Sequence, residues 1–550
     1  MKKLSILFCS MLIAAGSSAQ LNVIANSPSF EEPEVGFCKI IAQENGNTSL
    51  IHVTLKEGIT TRIYGQDHKQ SVIKKIKPAY GVLKGGDVVG AYEIDGNIVL
   101  FIRDYEDRTP ILFRLVIDGN TGLLLSEKEI GSLKKMDLGK GYAMMFGKVP
   151  MPDFYVRKDP NSGNYAVALF NSFAPDRNER IELFHYNEKH EEISRAYYQS
   201  PNDEYKYLSF QDMYVMGANE VVAVAVGMNT KASAGELNGT LLMGSLKPGD
   251  KALALSKLDY PGAGQIDGSL IRYNKVNDEF ILVSSKPVKG SKKGEYHAYK
   301  TIIKRAGDAS KTESINPAGI ARIANAHYDK KDAFKAIPQN IYINDDGSYS
   351  IVYEEVLVRV SNYGGGGIIG MPANTQFRRT SSTSSTRIYL NDIGVVHYNK
   401  DGSERESFYI PKSQSVFVKP STIYYSFRDD SAEQLMQGDQ YKSFFYLNGK
   451  NKNYILLNDI EKNQDKIDDK KTVTTIQGLG DCDAYSFELT GNNSMPKRQL
   501  VFNDKSSKKE HNIGMFSVSA YDKKSNVLIT LKRERSGREK KAEVVWMNVE

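Results

Sequence analysis

Cysteine, histidine and tryptophan are all scarce in this chain, and each scarcity closes off a class of chemistry. Cys9, Cys38 and Cys482 are the three cysteines among 550 residues, too few for a disulfide-stapled scaffold or a multi-cysteine zinc site. Cohesion must therefore come from a large packed core. The eight histidines are dispersed. His185 and His190 read as a chance pair across a turn, and His190-Glu191-Glu192-Ile193-Ser194 has Ser194 where a zinc-protease helix needs its second histidine. No excess of one charge is present: the formal net charge is +6, two units of it from Lys2 and Lys3. Lysine pairs such as Lys74-Lys75, Lys292-Lys293 and Lys540-Lys541 are scattered, as solvated faces are, so no nucleic-acid partner is expected. After residue 15 no apolar stretch approaches the roughly 20 residues of a helical membrane span. A Gly-x-Ser-x-Gly elbow is missing, and Gly139-Lys140-Gly141 lacks the hydroxyl residue of a phosphate loop.

What the N-terminus does have is a leader pattern. Lys2 and Lys3 precede the apolar stretch Leu4 to Ala15, and Ser17 and Ala19 supply small side chains before Gln20. This is the layout of a secretory signal peptide over 1–19, with cleavage expected between Ala19 and Gln20. Cys9 lies inside the apolar run after Leu7-Phe8, which argues against a lipid-anchored leader. The mature chain, 20–550, is thus expected in the periplasm, on the outer cell surface or outside the cell.

The dominant local signal is the short strand of Val, Ile, Tyr, Phe and Thr, stopped by Asp-Gly, Asn-Gly or lysine-rich turns. Residues 87 to 130 hold four such strands, turned at Asp95-Gly96 and at Asp118-Gly119-Asn120-Thr121-Gly122. Clusters in the same order fall at 36–77, 153–198, 211–258, 268–315, 338–410 and 441–502, with three further strands at 513–547. The hairpins at His185-Tyr186-Asn187 and His397-Tyr398-Asn399 share a tripeptide. Repetition at tens of residues marks units that bury a core only by stacking. The last cluster is one strand short, and Leu21 to Ala25 supplies an apolar strand that can complete it. An all-β fold follows: a single β-propeller of seven or eight degenerate four-stranded blades, with tandem β-sandwiches as the alternative. Helices are expected from Asn316-Pro317 to about Tyr328 and over Ser431 to Met436, before Gly438.

In this pattern the mature chain resembles exported β-propeller proteins with degenerate blades. The resemblance carries no functional residues, because the sialidase-type box is broken at Ile343-Asn344-Asp345-Asp346-Gly347-Ser348-Tyr349-Ser350 and the Trp-Asp dipeptide is absent. Neither a cofactor nor a metal is expected. Gly365-Gly366-Gly367-Ile368-Ile369-Gly370 has dinucleotide-loop spacing, but Met371-Pro372 and a Ser/Thr run follow where a helix is required. Asn344-Asp345-Asp346-Gly347 imitates a calcium loop, yet Tyr342 holds the first ligand position and Glu354 falls one residue late; a hairpin turn is the reading.

Two long insertions, 360–386 and 460–481, interrupt their clusters between second and third strands, and loops of that length without secondary structure are commonly functional or disordered. Tyr363, Phe377, Arg378 and Arg379 in the first are candidate ligand-binding residues, since guanidinium forks and aromatic faces suit an anionic or sugar ligand. The expected role is a binding or scaffold protein for a protein or glycan ligand, probed against two rivals: a secreted polysaccharide or peptide hydrolase with channel carboxylates, and a structural component of an envelope complex. Cys38 and Cys482 fall on non-neighbouring blades and are expected to be unpaired.

Overall fold

The computed structural model describes residues 21–549 apart from 34, 55, 79–85, 138, 141–148, 150, 230–238, 261–265, 267, 289–295, 306–310, 332, 363–383, 417–429, 437, 492, 503–509, 537 and 538. Its strands form eight antiparallel sheets arranged in a ring as the blades of a β-propeller. This excludes tandem sandwiches and fixes the blade number at the upper of the two expected values. Blades 1 to 7 start at Val35, Asp87, Asp153, Tyr207, Gly268, Ile337 and Phe445, and blade 8 spans His511–Gly514, Val527–Ser536 and Glu539–Asn548. Its fourth strand is N-terminal: Asn22–Asn26 pairs antiparallel with the C-terminal strand, Asn22 opposite Asn548. Both ends of the chain therefore share one sheet and close the ring.

Local chemistry sets the meander. In blade 2 the turn residues Asp95 and Gly96 have φ of 50° and 74°, the mirror-type hairpin turn that matches strand twist and favours Asp-Gly. In blade 3 the second and third strands are buried on both faces: Tyr165–Phe170 and Ile181–Tyr186 have every residue buried. Such strands read as continuous apolar runs because a neighbouring blade covers each face. The core is accordingly divided into clusters lodged between successive blades, such as Val222, Leu241, Ile271 and Leu282 between blades 4 and 5.

A repeated polar clamp reinforces three of these seams. The third strand of one blade sends Arg114, Lys300 or Trp546 to the second strand of the next: to Tyr165 Oη at 2.6 Å, Tyr349 Oη at 3.1 Å and Thr48 Oγ1 at 3.0 Å. A tyrosine at the end of the receiving third strand completes each clamp. Tyr186 stacks on Tyr165 at 5.1 Å, Tyr398 on Tyr349 at 4.9 Å, and Tyr64 meets Trp546 edge-on at 5.3 Å. The shared His-Tyr-Asn tripeptide is thus part of an inter-blade device. Its histidine bonds to a neighbouring blade, His185 Nε2 meeting the Gly217 carbonyl at 2.8 Å, and beyond the tripeptide His190 Nδ1 meets Tyr165 Oη at 3.2 Å.

One element here departs from the sequence reading. The helix expected at Asn316-Pro317 exists, α1 (Ala318–Tyr328), but Ser431 to Met436 is not helical. Glu433–Met436 is a strand pairing with the innermost strand of blade 1, Glu433 opposite Cys38 and Met436 opposite Val35. The described part of the connection from blade 6 to blade 7 therefore lies along the inner edge of blade 1, and edge pairing there overrides helix propensity. Cys38 and Cys482 are both free and buried; they lie in one apolar cluster with Leu435, Tyr441 and Trp546.

Candidate functional site

In a meander of this kind the turns from second to third strand emerge on the same face as the blade-to-blade connections. Both insertions lie between such strands, in blades 6 and 7, so their roots share that face. Blade 6 is built to reach it. Its second and third strands, Tyr349–Asn362 and Ser384–Tyr398, run to 14 and 15 residues and stay paired up to Asn362 opposite Ser384. The first insertion therefore begins and ends as paired strand. Tyr363, Phe377, Arg378 and Arg379 lie outside the described residues, as does the glycine run 365–370.

The long hairpin bends where pairing slips. Glu354 faces Ile393 and the next pair is Val356 with Leu390, leaving Glu355 against Asn391 and Asp392; a bulge of this kind kinks the strands and re-aims their side chains. Beyond the bulge the outer neighbour changes. Glu404–Ile410 pairs with Ile393 to Tyr398, and Gln414–Val416 takes over at Ile388 to Leu390. The second insertion docks on this short strand: Ser415 N–H donates to the Ile476 carbonyl at 3.0 Å, Ile476 N–H to the Ser413 carbonyl at 2.9 Å, and the Ser413 and Thr475 hydroxyls are 2.8 Å apart. The insertion is also partly helical, α2 (Lys462–Asp468), where no secondary structure was expected. Asn463 pins it, its amide donating to Asp459 at 2.6 Å and its carbonyl accepting from Thr474 N–H at 2.8 Å. Hairpin, short strand and second insertion thus form one shelf.

Charged groups are packed beneath the shelf. Glu354 and Lys412 form an ion pair with side chains 0% and 2% exposed. The buried Asp392 carboxylate accepts the Tyr409 hydroxyl at 2.5 Å and Lys412 N–H at 2.9 Å. Burial nonetheless raises its pKa to about 6. Glu355, half-buried, is raised to about 7 by burial and then by the Asp392 charge, against the lowering effects of Asn391 and Lys335. Tyr328 of α1 approaches Tyr409 edge-on at 6.3 Å. A carboxyl with such a pKa can take up and release a proton near neutrality. Asp392 is committed to Tyr409 and Lys412, so Glu355 is the member with access to water.

The central channel holds a second polar cluster. Arg157 of blade 3 donates to Asp212 of blade 4 from Nε at 3.1 Å and lies 3.2 Å from Asp430 of the connection from blade 6 to blade 7. Asp212 also accepts Ile271 N–H at 3.1 Å and faces Arg272 of blade 5 at 3.4 Å, and Arg272 reaches Asn340 of blade 6 at 3.2 Å. Burial raises the Asp430 pKa although Arg157 and Arg272 oppose it. Burial would lower Arg157, but Asp212 and Asp430 outweigh it and keep the guanidinium charged. The two carboxylates of this cluster, Asp212 and Asp430, are thus held by Arg157 and Arg272. Among the described residues no group of three or more His, Cys, Asp or Glu side chains is placed to hold a metal ion.

Of these residues the sequence reading touches Glu354 alone, as a carboxylate one residue out of place for a calcium loop. Glu354-Glu355 and Asn391-Asp392 each interrupt an otherwise apolar strand, which is the signal that marks them. No such signal links Arg157, Asp212 and Arg272, which lie in three different strands.

No protein-family model matches the chain, and no curated protein is significantly similar to it. Solved structures are similar at the level of fold. Quinohemoprotein alcohol dehydrogenase from Comamonas testosteroni aligns at 9% identity over 89% of this chain and 79% of its own, with a TM-score of 0.36. Polysaccharide lyase Uly1 aligns at 8% identity over 96% of this chain and 100% of its own, with a TM-score of 0.33. A protein of unknown function from Bacteroides caccae aligns at 12% identity over 50% and 81%, with a TM-score of 0.25.

Proposed function

We propose that this protein is an exported binding or scaffold propeller that holds a protein or glycan ligand on the shelf formed by the roots of its two insertions. The observation that carries this reading is the convergence of both insertions on one short strand, Gln414–Val416, which gives one face of the ring a continuous, elaborated surface. Arg378, Arg379, Tyr363 and Phe377 belong to the segment rooted there, and they bring the bidentate and stacking chemistry that an anionic or sugar ligand requires. The pairing of Asp212 and Asp430 with Arg157 and Arg272 favours binding over a hydrolase with channel carboxylates, since a catalytic carboxylate must be free to meet a substrate. The test is a screen of the mature protein against glycans and envelope proteins, with the Arg378→Ala, Arg379→Ala double variant beside it. Binding abolished by the double variant supports the reading; equal affinity of the two proteins opposes it. Mass spectrometry of the exported protein should find Gln20 at its N-terminus.

A further inference from the structure

The bulge in blade 6 brings Glu355 and Asp392 together where two strands exchange partners. Short of it, the hairpin is ordinary blade: Ile393 to Tyr398 lie between the second and fourth strands. Past it, the arm Val356 to Asn362 with Ser384 to Leu390 leaves the blade and is held laterally by three residue pairs, Ile388 with Val416, Tyr389 with Ser415 and Leu390 with Gln414, and by a small apolar group of Val356, Ile388, Leu390 and Val416. This attachment starts beside the carboxylates. Every element packed around them contributes a polar or charged group: Tyr409 from the fourth strand and Lys412 just beyond it, Tyr328 from α1, Lys335 from the segment entering the blade, and Glu354 from the bulge itself. Glu354 and Lys412 neutralise each other, so the remaining balance is that of Glu355 and Asp392 against Lys335.

We propose that this bulge is a proton-operated hinge: with Glu355 protonated the arm stays docked on Gln414–Val416, and with Glu355 ionised the facing carboxylates push the arm away from the shelf. Asp392 keeps its charge longer into acid because the Tyr409 hydroxyl and Lys412 N–H bind the ionised form. At Glu355 the Asn391 hydrogen bond and the Lys335 charge are outweighed by burial and by the Asp392 charge, and its half-buried position lets the strand swing it towards water. The consequence is a shelf that is closed on the acid side of neutrality and loosened on the alkaline side.

Hydrogen exchange of the mature protein at pH 5.5 and pH 8, corrected for intrinsic rates, tests the hinge. Arm amides in 356–362 and 384–390 should lose protection by about ten-fold or more at the higher pH, while amides of blade 2 stay unchanged. Glu355→Gln should hold the same protection at both values. Asp392→Asn, by removing the facing charge that raises Glu355, should make the loss smaller and complete it at lower pH; should that variant misfold through the loss of its Tyr409 and Lys412 bonds, Glu355→Gln still decides. An equal loss in wild type and Glu355→Gln, or none in wild type, overturns the proposal. The readout needs no ligand, so it stands or falls separately from the binding function.

Discussion

Replacing Asp212 by asparagine should be among the most damaging conservative changes in the molecule. Its side chain is fully buried, and it faces Arg157, 8% exposed, and Arg272, 17% exposed. Besides these ion pairs it accepts Ile271 N–H, so it joins blades 3, 4 and 5 at the channel wall. Asparagine keeps the shape and one acceptor oxygen but leaves two guanidiniums sharing Asp430. Removing one partner of a buried ionic set costs about 3–5 kcal/mol, chiefly the penalty of the uncompensated charge; the retained acceptor places Asp212→Asn near the lower figure. Asp430→Asn should cost about 1 kcal/mol, because Asp430 is 23% exposed and Arg157 keeps Asp212. Urea unfolding followed by the fluorescence of Trp546, the single tryptophan, measures both. Trp546 lies at the seam of blades 8 and 1, so a shift in its transition caused at blade 4 also reports that the ring unfolds as a unit. A loss below about 1 kcal/mol for Asp212→Asn, or a larger loss for Asp430→Asn, would refute the assignment of the channel cluster as a charge-balanced structural set.

Three further outcomes follow from the structure. In the mature chain Cys38 and Cys482, both raised to about 12 by burial, should resist thiol reagents at pH 8 while folded and give two labels after unfolding without reductant; no labels would mean a disulfide. Deleting residues 20–27 removes the outer strand of blade 8 and the buried Leu21, and should cost about 2 kcal/mol or more from Leu21 alone, seen as a lowered thermal midpoint; an unchanged midpoint would contradict closure by the N-terminal strand. Glu355 has a folded pKa raised from 4.5 to about 7, so the native state binds its proton more tightly than the unfolded chain. Stability is then lost as pH rises from the lower to the higher value and stays lost above it. Glu355→Gln should match wild type near pH 4 and exceed it at pH 8 by up to about 3 kcal/mol, and equal stability at both values would speak against a buried, charge-opposed Glu355.

The ring was legible in the sequence because its determinants are local. Asp95-Gly96, Asp118 to Gly122 and Asn344 to Gly347 announce hairpin turns, and the apolar runs between them are strands whichever blade they join. The closing pairing could be inferred since an orphan strand at 21–25 met a cluster lacking one. Ser431 to Met436 misled because Ala, Glu, Gln, Leu and Met favour helix, whereas the segment is fixed by the free inner edge of blade 1, contributed by Val35 to Cys38. Nothing near residue 433 in the chain reports that edge. The same limit hid Arg157, Asp212 and Arg272, whose meaning arises only when three blades meet. Glu355 and Asp392 were half visible, as polar pairs inside buried strands, but their conjunction depends on a slip in register that the two strands' own sequences do not announce.

The central claim is that the insertion-bearing face binds a ligand without transforming it. The most direct measurement incubates the mature protein with a ligand found in the glycan and envelope-protein screen, then follows both affinity and the mass of the recovered ligand, in wild type and in the Arg378→Ala, Arg379→Ala variant. The account predicts a ligand recovered chemically intact and an affinity that falls at least about ten-fold in the double variant, the loss of two charge-assisted contacts at the exposed end of the scale. A cleaved ligand, or an affinity indifferent to both arginines, would contradict it.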